Sequence, residues 1–87
     1  MIIVVKHSIA QPDKFWASAQ ESLPKLPEVG VSRILQVLPN QDSTEATCVW
    51  EADSIETLDN YLRSKVFDWS AEKYQEVNVA QSMGLSV

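Results

Sequence analysis

The stretch Met1-Ile2-Ile3-Val4-Val5 decides the fold. A strand with one face in water alternates apolar and polar residues, so this run predicts a strand covered on both sides. Its continuation divides Ile3, Val5, His7 and Ile9 from Ile2, Val4, Lys6 and Ser8. Pro12 suits the first turn of a following helix, where its missing N–H costs nothing, and Asp13 suits the positive end of the dipole. Phe15, Trp16, Ala19 and Leu23 recur at helical spacing, and Pro24 and Pro27 end the helix near Leu23.

Gly30 to Leu38 reads as a second strand, with Val31, Arg33, Leu35 and Val37 opposed to Ser32, Ile34, Gln36 and Leu38. Turn formers fill Pro39-Asn40-Gln41-Asp42-Ser43, a hairpin loop. Thr44 to Ala52 returns as the third strand, with an Ala46, Cys48, Trp50 row against Thr47, Val49, Glu51. Asp53 and Ser54 are good N-caps, and Glu56 completes a capping box with Asp53. The second helix then points Ile55, Leu58, Tyr61, Leu62 and Val66 inward, and Glu56, Asp59, Asn60 and Arg63 toward water. After an irregular link over Phe67 to Ser70, the last strand is placed at Lys73 to Met83.

The order β-α-β-β-α-β is the split βαβ, or ferredoxin-like, arrangement of an α+β protein. It predicts one domain over residues 1–87, a four-stranded antiparallel sheet with both helices on one face. The helix-free face then carries an apolar row that a second copy can cover, giving a homodimer through that face. An Asp at Val4 or Ile3 is expected to split or unfold it. The plainer reading is a monomer whose Lys6, Arg33 and Glu51 screen the surface.

Composition limits the chemistry. Eighty-seven residues bury roughly 60–65% of the unfolded chain's surface, and a dimer relieves that shortage of core. The single Cys48 excludes an internal disulfide, and no Cys and His spacing suggests a metal site. Net charge is −5, and the seven Lys and Arg are scattered without a run of three. No basic face suited to nucleic acid is visible. The opening apolar run is too short to span a bilayer and lacks the flanks of a signal peptide, so a cytoplasmic protein is expected.

Val5-Lys6-His7, the run Cys48-Val49-Trp50-Glu51-Ala52-Asp53-Ser54, Tyr74-Gln75-Glu76-Val77 and Ala80-Gln81-Ser82-Met83-Gly84-Leu85 resemble a family of small, functionally uncharacterised bacterial proteins. That family lies in the dimeric α/β-barrel superfamily, with antibiotic-biosynthesis-type monooxygenases and muconolactone-isomerase-like proteins. The resemblance implies a dimeric α/β barrel and, if there is a reaction, a cofactor-independent oxidation or isomerisation. It does not fix the chemistry, since the superfamily also includes proteins with no assigned activity.

His7 is the only histidine, a candidate general base, metal ligand or orienting group, though one ligand does not make a metal site. Its plainer reading is a core imidazole bonded to backbone. Cys48 reads as a small buried hydrophobe. Trp16, Trp50, Tyr61, Trp69 and Tyr74 are numerous for so short a chain. They are expected where helices meet sheet, so that His7, Trp50, Tyr61, Trp69 and Tyr74 form a cleft for a flat organic molecule. The alternative is a structural or interaction module whose rings fill the core. Glu51, Glu72 and Glu76 read as solvated or rim charges, and no phosphate loop, nucleophile elbow or cofactor motif is present.

Overall fold

The run that opens the chain forms the strand that most of the sheet is built on. In the computed structural model, which describes residues 1–85, strand β1 (Ile2–Ile9) lies between β3 (Glu45–Ala52) and β4 (Ser70–Glu76). Strand β2 (Val31–Pro39) adds to β3, so the sheet order is β2-β3-β1-β4 and every pairing is antiparallel. Helices α1 (Pro12–Ser22) and α2 (Ile55–Val66) provide the two crossovers. This is the ferredoxin-like βαββαβ fold.

The core lies between the helices and one face of the sheet. Ile3 and Val5 are fully buried there, with Val31, Cys48, Trp50, Phe15, Leu58, Leu62 and Val66 around them. Strand β1 can be buried there because Ile3 pairs with Trp50, and Val5 with both Cys48 and Tyr74, so the inward rows coincide. Pro12 opens α1 as expected, and Leu23–Lys25 tightens into a 3-10 turn at Pro24. Ser54, and not Asp53, caps α2: its Oγ accepts from the Thr57 N–H at 3.0 Å. Glu56 therefore has no part in a capping box.

Two strands depart from expectation. Register shifts between Val31 and Arg33 and between Ile34 and Gln36 break the period-two reading of β2. They turn Ile34 and Val37 onto the core and leave Arg33 on the outer face, where its Nε meets Glu51 Oε1 at 3.0 Å. A strictly alternating β2 would have driven that guanidinium into the apolar layer. Strand β4 runs from Ser70 to Glu76, three residues earlier than expected at its start, and a 3-10 turn follows at Val79–Gln81. Met83, expected in that strand, is 96% exposed.

The helix-free face is less oily than the opening run suggests. Ile2 and Val49 are buried on it, Val4 is half-buried and Leu38 is exposed. Lys6, Thr47, Arg33, Gln36, Lys73 and Gln75 surround them. Ile3 faces the helices, so of the two Asp substitutions only the one at Val4 would test this face.

Candidate functional site

The inward row of β1 carries one polar residue, His7, and the sheet register decides its neighbours. It pairs with Glu72 on β4 and Ala46 on β3, so its ring shares the helix-facing side with the Glu72 carboxylate. His7 Nδ1 lies 2.8 Å from Glu72 Oε2, and the side chains are 2% and 1% exposed. A neutral ring donates from Nδ1 to that oxygen and leaves Nε2 as an acceptor. The Phe15 ring packs edge-on, its centroid 5.2 Å from that of the imidazole.

A chain of polar groups continues from Glu72 toward the surface. Ser70 Oγ donates to Glu72 Oε2, and the Arg63 guanidinium pairs with Glu72 Oε1. Arg63 also donates to the Ser70 carbonyl at 3.2 Å and lies 3.9 Å from Asp59, which accepts from Tyr74 Oη at 2.6 Å. Burial, then the Arg63 charge, lowers the His7 pKa from 6.5 to about 4. Glu72 acts in the opposite sense, but Arg63 already balances that carboxylate, so the imidazole is neutral at pH 7. Burial, then the bond to Asp59, raises the Tyr74 phenol. Burial pushes the Cys48 thiol up to about 12, which leaves no thiolate at neutral pH.

On the other side of the His7 ring is a narrow apolar cleft between helices and sheet. Phe15, Trp16, Leu23, Ile34, Trp50 and Tyr61 are among the residues around it, and its free volume is about 30 Å³. That is near one water's share of the liquid. Three of its residues carry buried polar atoms without a hydrogen-bond partner: His7 Nε2, Trp50 Nε1 and Tyr61 Oη. The Trp50 and Tyr61 rings meet edge to face, 5.7 Å between centroids. Lys65 lies over Tyr61, its Nζ 5.5 Å from the ring centre and 3.4 Å from Glu28 Oε2.

The structure thus brings His7, Trp50 and Tyr61 to one cleft and leaves out Trp69 and Tyr74. Tyr74 is tied to Asp59 beside the polar chain, and Trp69 lines a separate groove between the helices. Glu72 was expected at the rim, and Asp59 and Arg63 in water; instead Glu72 is buried, and Arg63 reaches in to it. The signal for Glu72 was its place two residues before Tyr74 on the same strand face, hidden once the strand was begun at Lys73. Among the described residues no group of three His, Cys, Asp or Glu side chains could hold a metal ion, and no helix is long and apolar enough to cross a membrane.

No family model matches the sequence, and no curated protein matches it. Among solved structures, the chain is similar to a protein from Nitrosomonas europaea provisionally named an antibiotic biosynthesis monooxygenase. The two are 15% identical over 90% of this chain and 99% of that one, with a TM-score of 0.47. A likeness this distant carries no argument about activity.

Proposed function

We propose that this protein binds a small, flat, mainly apolar molecule bearing a hydroxyl or carbonyl oxygen, in the cleft between the helix pair and the sheet. The observation that carries this reading is the set of three unpartnered buried polar atoms, His7 Nε2, Trp50 Nε1 and Tyr61 Oη, on residues around one apolar cleft. Each such atom costs about 1–3 kcal/mol when buried unpaired, and such atoms are uncommon in a core that only has to pack. One acceptor and two donors on aromatic walls suit a ring with an oxygen handle. We place the protein in solution in the cytoplasm as a homodimer joined through the helix-free face, where Val4 is half-buried and Leu38 exposed.

Oxidation or isomerisation of the kind the family resemblance implies would ask His7 to take a proton. With His7 at about 4 and a phenol near 10, that transfer is uphill by roughly 8 kcal/mol. His7 is therefore read as the acceptor that orients the ligand, fixed by Glu72, and not as a strong base.

One observation favours the second reading, a non-enzymatic interaction module with a filled core: the cleft holds only about 30 Å³, so a ring can enter only if side chains move. Native mass spectrometry of freshly purified protein, with tryptophan-fluorescence titration by 1-naphthol, separates the two. The first reading predicts a small-molecule adduct or a saturable titration that His7→Ala abolishes, on a mass of two chains. A bare chain mass with no naphthol response through the millimolar range would refute the cleft reading, and a monomer would refute the assembly.

A further inference from the structure

The link between α2 and β4 turns a bulky aromatic into an unfavourable backbone conformation and leaves it in water. Phe67 has φ 49° and ψ −128°, a region that glycine enters freely and phenylalanine does not. The residue is 54% exposed, so packing does not repay the strain. Arg63 holds the peptide there by donating to the Phe67 carbonyl. The result is a surface pair: Phe67 meets Trp69 edge to face, 5.1 Å between centroids.

That pair ends a groove between the helices, about 550 Å³ in volume. Lys14, Lys25 and Lys65 line it, three of the seven basic residues of a chain with net charge −5, and Glu21 is its one acidic residue. Lys25 is held by Glu21 at 3.6 Å and Lys65 by Glu28 at 3.4 Å. Lys14 has no carboxylate partner among the described residues; its Nζ lies over the Trp69 ring, 5.8 Å from the centre. An exposed Phe67 packed on a half-buried Trp69, beside an unmatched cation, has the make-up of a binding hot spot. Because the groove is on the helix layer, pairing through the sheet leaves it free.

We propose that this groove docks an acidic peptide segment of a partner protein, with an apolar side chain seated on Phe67 and Trp69 and a carboxylate on Lys14, the groove lysine without a carboxylate partner among the described residues. The strained backbone at Phe67 presents the ring as the anchor.

Fluorescence anisotropy tests this with three fluorescein-labelled heptapeptides: Asp and Glu around a central Phe, the same peptide with Ala for Phe, and a Lys and Arg counterpart with the Phe kept. Only the first is expected to saturate, and its affinity falls roughly tenfold between low and high salt as charge is screened. Lys14→Glu abolishes binding. Phe67→Gly also abolishes it while raising the melting midpoint by roughly 4–8 °C, since glycine relieves the strain; a purely structural Phe67 would give a lower midpoint. Binding unchanged in Phe67→Gly, or no preference for the acidic peptide, overturns the proposal. So does tight binding of 1-naphthoate alone, which would give the groove to a small molecule. Self-association lost in Phe67→Gly would give it to a second copy, with the same consequence.

Discussion

Acid should unfold this protein through His7, and the size of the effect follows from its surroundings. The imidazole titrates near 6.5 in the unfolded chain and at about 4 in the fold, because burial and Arg63 oppose its charged form. The folded value is the lower one. The stabilisation is therefore complete above pH 6.5 and drains away as pH falls toward 4, where the unfolded chain takes up a proton that the folded chain refuses. From 6.5 down to about 4, at about 1.4 kcal/mol per pH unit, the loss is about 3 kcal/mol. A domain of this length has only about 4–13 kcal/mol to lose. The comparison is His7→Asn, which keeps an N–H to donate to Glu72 and cannot titrate. Urea unfolding of both proteins from pH 7.5 to 4 should show the wild type losing about 3 kcal/mol more than the variant, whatever the variant's starting stability. A flat difference would refute the reasoning. So would an NMR titration of His7 above 6.5, which would mean that Glu72, and not Arg63, sets the ring's charge.

Arg63→Met strands the buried Glu72 carboxylate. It should cost about 3 kcal/mol or more, lowering the calorimetric midpoint by at least roughly 12 °C, and adding Glu72→Met should recover most of the loss. Gly30→Ala should cost about 2–3 kcal/mol, because its φ is +78° and a Cβ would come within 2.4 Å of Thr57 Cγ2. Gly84→Ala is the control: φ is +77° but nothing lies within 4 Å, so chemical denaturation should register at most about 1 kcal/mol.

The elements that could be read from sequence were those whose inward row is apolar. Strand β1, strand β3 and both helices have such rows, and the prolines around α1 and Ser54 before α2 mark their ends. Strand β4 hid its position because the row it sets opposite the inward residues of β1 is Ser70, Glu72, Tyr74 and Glu76, three of them polar or charged. The apolar Val77, Val79 and Met83 further on drew the expected strand past its real end. Since Glu72 fell outside that strand, the carboxylate beside His7 fell outside the expected site too. Strand β2 failed for a different reason: bulges shift register without any fixed residue signature, and only the sheet shows that Arg33 and Ile34 exchange sides. The aromatic cleft was half legible. Composition picked out the rings, but only the fold separates Trp50 and Tyr61 from Trp69 and Tyr74.

The sheet order also sets a timetable. Strand β1 leaves the ribosome before the other three strands of its sheet, yet its β4 neighbour follows only after the sixty residues between Ile9 and Ser70. At about 5–20 residues per second, that delay is roughly 3–12 s. Through that interval Ile2 to Val5 cannot be paired along both edges, so the oiliest stretch of the nascent chain waits longest for its full shelter, and crowding or slow translation would harm this protein before it has folded.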